Sequence, residues 1–430
     1  IMATNSLIEG ELFHKITRDE RQEECRRKWI KNRCVGTIVA STGFGKSRIG
    51  LNCIKTVLKH FPQYRVLIIV PTETLQKQWC GHIDSNGLGL NCDVQIINTV
   101  IKHPAKYDLL VLDEAHRYAA ETFVRLFEVV KYQFILGLTA TFERLDGRDK
   151  ILAKYCPVID TIDINTCLAN GWVSPYKEYL VLVNVDDLEE YEKINKEFIS
   201  HFEFFGFSWE LVNKLAGPMG WRNKLLLRDS MCSDPNKKSE VLQNINYHAI
   251  RFWATMHEKK AFINNHPKKI EIVKKIIEAR KDKKIITFAN NIKMAEKIPN
   301  ATIYSSRTSK KRSATAIEDF NSGKITLLST VKKADEGLDV KGLSVAIIFG
   351  LDSSTTRACQ RRGRSIRFEK GKTAEIFNIV LNRTQETKWF YDSHKGDSFI
   401  TIDESELDKV LQGKDFTPGE KIVPKFDFRF

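Results

Sequence analysis

The stretch Ala40-Ser41-Thr42-Gly43-Phe44-Gly45-Lys46-Ser47 decides the fold of this chain of 430 residues. A β-branched apolar run, Val35 to Ser41, leads into it, and a helical pattern from Arg48 through Leu58 follows. A strand, a glycine loop and a helix in this order place backbone N–H groups and a helix N-terminus opposite a phosphate chain. The glycines let the main chain approach the phosphates, the lysine brings positive charge to the β and γ phosphates, and the serine can ligate Mg²⁺. The stretch therefore predicts a nucleotide site, and the alternative is an incidental Gly-Lys-Ser turn.

A second chemical motif, Asp113-Glu114-Ala115-His116, directly follows the apolar run Leu109 to Leu112. A carboxylate at the carboxyl end of a buried parallel strand lies where open α/β sheets bind ligands. Asp113 can there hold the Mg²⁺ that bridges the β and γ phosphates, and Glu114 can orient and deprotonate an attacking water. Acidic residues also begin helices, but the phosphate loop in the same sheet favours a site that hydrolyses ATP.

Short β-branched runs alternate with helical patterns in two blocks, which predicts two α/β domains with parallel sheets. The strands of the first block are predicted at Val35–Ser41, Arg65–Pro71, Val94–Thr99, Leu109–Glu114 and Phe134–Ala140. Those of the second block are predicted at Ile285–Ala289, Thr302–Ser305, Ile325–Ser329, Val345–Gly350 and Ala374–Val380. The nearly continuous hydrophobicity of these runs indicates strands that helices cover on both faces.

Between the two blocks, charged helix formers are followed by a group of aromatic residues, which predicts a helical insertion. The aromatic side chains either form a small core or supply stacking platforms for unpaired bases. They are Phe202, Phe204, Phe205, Phe207, Trp209 and Trp221. We therefore expect an ATP-binding domain at 1–178, the insertion at 179–266, a second domain at 267–385 and a C-terminal extension at 386–430.

The formal net charge of +14 favours a polyanionic partner, either nucleic acid or an anionic membrane surface. The longest apolar runs, such as Val66–Val70, are far too short to span a bilayer, so we expect no membrane partner. Nine cysteines without a Cys-x-x-Cys pair favour reduced thiols over structural zinc or disulfides. No signal peptide is visible, and we expect a reduced intracellular compartment, the cytoplasm or alternatively the nucleus.

Further motifs follow the two chemical ones in a fixed order along the chain. In the first block they are Pro71-Thr72, Asn98-Thr99 and Leu136 to Thr141. In the second block they are Phe288-Ala289-Asn290, Ser329-Thr330, Glu336 to Asp339 and Gln360 to Arg367. With these motifs the chain resembles a superfamily 2 helicase or translocase of the DExH type, nearest the XPB-like and phage UvsW-like branch. The resemblance extends from Arg18 to Trp389.

The resemblance implies two RecA-like parallel-sheet domains in tandem, with ATP and Mg²⁺ in the cleft between them. It places the nucleotide on Gln22, Thr42, Gly43, Gly45, Lys46, Ser47, Gly337 and Asp339, and the metal on Ser47 and Asp113. It assigns catalysis to Glu114, Lys46, Gln360, Arg364 and Arg367, and coupling between the sites to His116, Thr139 and Thr141. It assigns nucleic-acid contacts to Pro71, Thr72, Thr99, Asn290 and Thr330. One departure from the family is Arg21, which stands where an aromatic residue usually precedes the glutamine.

The basic segment Gln360 to Arg367 has a chemical role that does not depend on the family. Arginines from a facing domain stabilise the charge that develops on the γ-phosphate only when the two domains close. Arg364 and Arg367 are spaced i and i+3, so one helical face would present both guanidinium groups. A basic surface patch is the alternative, and the ATP site in the first block favours an arginine finger.

We expect an ATP-dependent nucleic-acid helicase or translocase that acts as a monomer, with DNA favoured over RNA as its partner. One alternative is a duplex DNA translocase that remodels branched DNA or drives annealing. Another is a nucleic-acid-binding module that does not hydrolyse ATP. Since no accessory recognition domain of familiar type is visible in the sequence, a small separate targeting partner is a further hypothesis.

Overall fold

The computed structural model of the protein describes residues 16–103, 105–119, 124–140, 142, 149–305, 307–331, 340, 342–351, 373–394 and 398–419. These residues form two large parallel β-sheets, with a group of helices between them in the sequence. Within the described part of the chain, no helix combines the length and the apolar character needed to cross a membrane.

The first unit contains one large sheet and its covering helices. Its strands are β1 (Val35–Ala40), β2 (Val66–Val70), β3 (Cys92–Ile96), β4 (Ala105–Lys106), β5 (Leu109–Asp113), β6 (Val130–Lys131), β7 (Phe134–Thr139) and β8 (Val158–Ile162). Its helices are α1 (Arg18–Lys31), α2 (Lys46–His60), α3 (Glu73–Ser85), α4 (Ile97–Val100), α5 (Leu126–Val129), α6 (Asp149–Tyr155) and α7 (Ile164–Ala169), with a 3₁₀ helix at Ala115–Ala119.

The large sheet of the first unit positions both chemical motifs. Its strand order is β3-β2-β5-β7-β1-β8, and every neighbouring pair is parallel. Alternate residues of β2 are buried in two different apolar clusters, Ile68 in one and Ile69 in the other, which confirms that both faces are covered. Because β1 and β5 flank β7, the phosphate loop and the acidic motif follow strand ends at the same edge of the sheet.

The five strands predicted for the first block are present; four of them end one residue earlier than predicted, and the fifth ends three residues earlier. The strand predicted at Val94–Thr99 runs over Cys92–Ile96 and is followed by the helical turn α4. Ile97 and Val100 are buried while Thr99 is exposed, and this spacing of buried residues is that of a helix rather than a strand. Strand β8 was not predicted, because its partly exposed edge position leaves only a weak apolar pattern in the sequence.

The second unit is built around a larger parallel sheet. Its strands are β9 (Tyr176–Val183), β10 (Ile285–Ala289), β11 (Thr302–Tyr304), β12 (Leu327–Val331), β13 (Val345–Ile348), β14 (Ala374–Leu381) and β15 (Ile400–Ile402). Its helices are α12 (Pro267–Ala279), α13 (Ile292–Ala295), α14 (Lys310–Ser322), α15 (Gln385–Ser393) and α16 (Glu404–Gln412). The strand order is β11-β12-β10-β13-β14-β9-β15, and all neighbouring pairs are parallel.

The second sheet includes residues from both sides of the insertion. Strand β9 pairs with β14 from Tyr176↔Ala374 to Val183↔Leu381, and β15 pairs with β9 on its other side. The predicted boundary at 178/179 therefore cuts through β9, and the predicted boundary at 385/386 leaves β15 outside the domain to which it is hydrogen-bonded. Pairing between strands about 200 residues apart leaves no trace in a local sequence pattern.

The insertion consists of four helices in the described residues, α8 (Leu188–Phe204), α9 (Trp209–Ala216), α10 (Gly220–Met231) and α11 (Lys238–Asn265). Phe202 and Phe205 are buried in a core that also contains Phe252. Trp221 is 67% exposed and Trp209 is 43% exposed. The core interpretation therefore holds for the phenylalanines at the centre of the predicted group, and only the two tryptophans present enough surface for stacking.

Polar contacts fasten the base of the insertion to the second unit. Asn290 and Asn291, which follow β10, donate hydrogen bonds to Asn264 (2.5 Å) and Asn265 (2.9 Å) at the end of α11. His266 joins α11 to α12, and its Nε2 lies 3.0 Å from a carboxylate oxygen of Asp187. The insertion is thus attached to the second unit by a set of short contacts at its base.

Candidate ATP site and nucleic-acid interface

The phosphate loop has the backbone that its glycines predict. Gly43 and Gly45 have φ values of 89° and 100°, in the left-handed region that favours glycine. Gly45 is the N-cap of α2 and supplies no side-chain cap, so it leaves the N–H groups of the first turn to other acceptors. A helix of 15 residues thus starts at Lys46 with a loop shaped to receive an anion.

Gly45 also lacks room for a side chain. A Cβ at this position would lie 2.6 Å from Nε2 of Gln22 and 2.9 Å from a guanidinium nitrogen of Arg18. We expect Gly45→Ala to weaken the binding of a fluorescent ATP analogue about tenfold or more, because the left-handed conformation alone costs about 1–2 kcal/mol for a residue with a Cβ. The measurement is an equilibrium titration of the purified variant.

Gly87→Ala is the matched control for this prediction. Gly87 has a φ of 66°, and a Cβ there would meet nothing within 4 Å. This variant carries the same kind of backbone cost away from the site, so it should bind the analogue like the wild type. Equal affinities for the two variants would contradict the assignment of this loop to the nucleotide.

Gln22 is buried against the phosphate loop, with 1% of its surface exposed. Its Nε2 donates a hydrogen bond of 2.7 Å to the carbonyl oxygen of Phe44, and Arg18 donates a second one of 2.9 Å to the same oxygen. The other amide atom of Gln22, Oε1, is buried and accepts no hydrogen bond from the described residues. A buried acceptor without a partner fits a ligand that brings its own donor, such as the amino group of adenine.

The contacts of Arg21 explain why an arginine stands directly before Gln22. Its guanidinium group makes two hydrogen bonds, of 2.7 and 2.8 Å, to the carboxylate of Asp160 on β8, and Lys28 donates a third of 2.9 Å. Burial alone would raise the pKa of Asp160, but these hydrogen bonds hold that pKa below its ordinary value. Arg21 therefore attaches α1 to the edge strand of the sheet, in the place where the family has an aromatic residue.

Asp113 ends β5 with 4% of its surface exposed. Its Oδ2 accepts a hydrogen bond of 2.8 Å from the indole Nε1 of Trp79, and its Oδ1 accepts one of 3.1 Å from the backbone of Glu114. Burial, and secondly the charge of Glu114, raise the pKa of Asp113 to about 6, while Trp79 and Lys46 oppose this rise. A buried carboxylate with too little positive charge around it fits a bound divalent cation.

Glu114 combines a strained backbone with an unsatisfied side chain. Its φ of 52° lies in the left-handed region, which costs a residue with a side chain roughly 1–3 kcal/mol and is concentrated at functional sites. Its Oε2 is buried and accepts no hydrogen bond from the described residues, and Nδ1 of His116 lies 3.6 Å from it. A carboxylate held in this way is placed to accept a hydrogen bond from a water molecule.

The predicted coupling residues His116 and Thr139 are in contact. Nδ1 of His116 and Oγ1 of Thr139 share a hydrogen bond of 2.8 Å, and both side chains are buried. The contact joins the acidic motif to the end of β7. Six other predicted site residues lie outside the described residues: Thr141, Gly337, Asp339, Gln360, Arg364 and Arg367.

The predicted nucleic-acid contacts of the first unit follow neighbouring strands. Pro71 and Thr72 follow β2, and Thr99 lies in the helical turn after β3. Thr72 is the N-cap of α3, where its Oγ1 accepts a hydrogen bond of 3.4 Å from the backbone of Leu75. The three residues thus lie at the same edge of the sheet as the phosphate loop.

The predicted contacts of the second unit are engaged within the protein. Thr330 is fully buried in β12, and its hydroxyl donates a hydrogen bond of 2.8 Å to the carbonyl of Thr287. Asn290 donates to Asn264 and, at 3.0 Å, to the carbonyl of Leu351. In this conformation the Thr330 hydroxyl is buried away from any bound strand, and the amide nitrogen of Asn290 donates both of these hydrogen bonds within the protein.

Three residues that contact the site were not predicted. Arg18 holds the phosphate loop, Asp160 binds the residue before Gln22, and Trp79 donates to Asp113. The position of Arg18, one helical turn before the glutamine, is a signal that could have been used. Nothing in the local sequence indicates the other two, because each of their partners lies on an element that is distant in the sequence.

Comparison with known families and structures agrees with this architecture. The sequence matches the family described as type III restriction enzyme, res subunit, over residues 15–99 and 91–144, and the helicase conserved C-terminal domain over residues 268–369. The helicase domain of Pyrococcus furiosus Hef superposes with a TM-score of 0.52 at 16% identity, covering 91% of this chain and 99% of that one. Saccharomyces cerevisiae Dbp5 bound to RNA and ADP BeF3 gives a TM-score of 0.57 at 13% identity, covering 91% of both chains. These superpositions establish the fold.

The two parallel sheets, the phosphate loop and the acidic strand end define a two-domain RecA-like ATPase. A DNA 3'-5' translocase, XPB2 of Sulfurisphaera tokodaii, is 25% identical over 398 residues, which are 86% of this chain and 83% of that protein. A putative helicase of Sulfolobus islandicus filamentous virus is 23% identical over 405 residues, which are 83% of this chain and 63% of that protein. The chain belongs to the superfamily 2 helicases, in their XPB-like branch, and is an ATP-dependent nucleic-acid helicase or translocase.

Proposed function

We propose that this enzyme is a DNA-stimulated ATPase that translocates along duplex DNA rather than separating strands processively. The observation that carries the choice of DNA is the similarity to a DNA translocase, which extends over both parallel-sheet units. A shorter similarity, 34% over 140 residues, joins the chain to a putative ATP-dependent RNA helicase of African swine fever virus. It covers 27% of this chain, so it supports RNA less strongly.

The first unit would hold the nucleotide through the residues that surround the phosphate loop. Backbone N–H groups at the start of α2 and the side chain of Lys46 would bind the phosphates, with Thr42, Gly43 and Gly45 shaping the loop. Gln22 would accept a hydrogen bond from the adenine. Ser47 and Asp113 would hold Mg²⁺, which when bound offsets the charge of the phosphates.

Hydrolysis would depend on Glu114 and on the second unit. Glu114 would orient the attacking water and accept its proton, and the contact between His116 and Thr139 would pass the state of the site to the end of β7. For Gln360, Arg364 and Arg367 we propose the role of the arginine finger and its neighbour, with Gly337 and Asp339 at the nucleotide and Thr141 in coupling. These assignments rest on the family's motifs.

DNA would lie across the carboxyl edge of the sheets, against Pro71, Thr72 and Thr99. Asn290 and Thr330 would take part only after a rearrangement of the second unit. Contacts at this edge would be mainly to phosphate and sugar, which fits a chain with a net charge of +14. We propose that one copy of the chain suffices for this activity.

We expect duplex DNA to stimulate ATP hydrolysis more strongly than RNA of matched sequence and length, and we expect this stimulation to fall steeply as salt rises. The reason for the salt effect is that phosphate contacts release counterions, so that the affinity falls linearly on logarithmic axes. Phosphate release measured with both polymers at several salt concentrations checks the prediction.

Two strand assays separate translocation from unwinding. Displacement of the third strand from a DNA triplex, without unwinding of a forked duplex, is the result that the proposal predicts. Unwinding of the fork at a rate equal to triplex displacement would favour a strand-separating helicase, and stronger stimulation by RNA would contradict the choice of DNA.

A further inference from the structure

Trp79 contacts two elements of the first unit that carry candidate ATP-site residues, helix α2 and the end of strand β5. It lies on α3 with 1% of its surface exposed, and its indole Nε1 donates the hydrogen bond of 2.8 Å to Oδ2 of Asp113. The far edge of the same indole ring lies against α2, the helix that begins with Lys46. A Cβ at Gly50 of that helix would lie only 2.8 Å from Cη2 of Trp79. Trp79 therefore fixes the distance between the helix after the phosphate loop and the carboxylate at the end of β5.

The helix that carries Trp79 begins at a predicted nucleic-acid contact. Thr72 is the N-cap of α3, and Trp79 lies seven residues further on, about two helical turns along the same face. A helix behaves as a rigid rod over this distance, so a bound strand that displaced Thr72 would also displace Trp79. No other element is needed to connect the strand to Asp113.

We infer that Trp79 is a positioning residue that orients Asp113 toward the metal and transmits nucleic-acid binding from α3 to the ATP site. The inference rests on the proposed function for the roles of Asp113 and Thr72. In this inference a single hydrogen bond connects DNA binding to ATP hydrolysis. Proximity alone does not establish such a connection, so the energetic coupling between the two sites has to be measured.

Trp29 offers a matched control in the same unit. It is fully buried, and its indole Nε1 donates a hydrogen bond of 2.9 Å to the carbonyl of Ile135, away from the phosphate loop. Trp29→Phe and Trp79→Phe therefore delete the same kind of buried donor at a comparable cost in packing. Only the second deletion removes the contact with Asp113.

The experiment compares the two variants in three measurements. For Trp79→Phe we expect kcat with DNA to fall roughly tenfold or more, as for the loss of a hydrogen bond to a charged group, with an almost unchanged KM for ATP. The ratio of rates with and without DNA should fall while the affinity for DNA stays the same. The gain in affinity for a fluorescent ATP analogue on adding Mg²⁺ should also shrink, and this binding measurement needs no turnover. Trp29→Phe should keep the wild-type ratio and the wild-type gain.

The inference would be overturned if Trp79→Phe behaved like Trp29→Phe in two measurements. These are the ratio of hydrolysis rates with and without DNA, and the gain in affinity for the ATP analogue on adding Mg²⁺. If either phenylalanine variant fails to fold, benzothienylalanine at the same position keeps the ring shape and replaces the N–H with sulfur, and the same outcomes decide. A wild-type enzyme whose hydrolysis DNA does not stimulate would instead contradict the proposed function. The Mg²⁺ measurement would then still test the contact between Trp79 and Asp113.

Discussion

Glu114→Gln should lower the kcat of DNA-stimulated hydrolysis by about 10²–10⁴-fold, the usual contribution of a general base. Glutamine keeps the shape of the side chain but cannot accept the proton of the attacking water. A contact between this carboxylate and a ligand would explain both the strained backbone of Glu114 and its buried, unsatisfied Oε2. Steady-state phosphate release with saturating ATP and DNA measures the effect.

Nucleotide binding should survive this substitution, because the phosphate loop and Gln22 are unchanged. The matched control is Glu128→Gln, which alters an exposed glutamate on α5 of the same unit and should leave kcat as it is. A Glu114→Gln enzyme that hydrolyses ATP within a few-fold of the wild-type rate would show that another group accepts the proton.

Asp113→Asn should abolish hydrolysis and at the same time stabilise the protein in the absence of metal. Activity is lost because the neutral amide is a poor ligand for Mg²⁺. The free energy of unfolding at pH 8 should rise by up to roughly 3 kcal/mol, the value that corresponds to a pKa raised from 3.8 to about 6. Asparagine removes a buried charge and still accepts the hydrogen bond from Trp79.

The sign of this stability effect depends on pH. The folded protein keeps Asp113 protonated up to about pH 6, while the unfolded chain loses that proton near 3.8, so the wild type becomes less stable as the pH rises between these values. The advantage of Asp113→Asn should therefore be full above pH 6 and vanish below pH 4. Thermal melting in the presence of EDTA across this range measures it.

Asp160→Asn is the comparison variant with the opposite expectation. Because Arg21 and Lys28 hold the pKa of Asp160 below its ordinary value, its charge stabilises the folded protein, and that stability is lost only as the pH falls through the lowered pKa. Asp160→Asn should lower the melting temperature at neutral pH. A loss of stability for Asp113→Asn as well would contradict the conclusion that the site is short of positive charge.

The sequence was sufficient for those parts of the fold that depend on neighbouring residues. Strands β1 and β5 and the loops that follow them have compact apolar runs and side chains whose chemistry is specific, so their positions and their common edge could be predicted. Strand β9 could not be assigned to the second sheet, because its partner β14 is almost 200 residues away in the sequence. The same limit explains the two misplaced domain boundaries.

In the candidate site, too, some features could be predicted from the sequence and others could not. The residues of the phosphate loop and the acidic motif are predictable because a phosphate chain and a metal ion require those side chains at that spacing. The contacts that hold them, from Trp79 to Asp113 and from Arg18 to the loop, join separate elements and become visible only in three dimensions. Thr330 is a predicted nucleic-acid contact that this conformation does not present, because its hydroxyl is buried against Thr287.

We propose that one site in the first unit hydrolyses ATP in response to DNA. The most direct test is the rate of phosphate release by the wild-type protein with Mg²⁺ and ATP, measured with and without duplex DNA beside Glu114→Gln. We expect DNA to raise the rate severalfold in the wild type, and we expect the rate of the variant to stay at the background level. A wild-type rate that is the same with and without DNA, or that Glu114→Gln reproduces, would contradict the proposal.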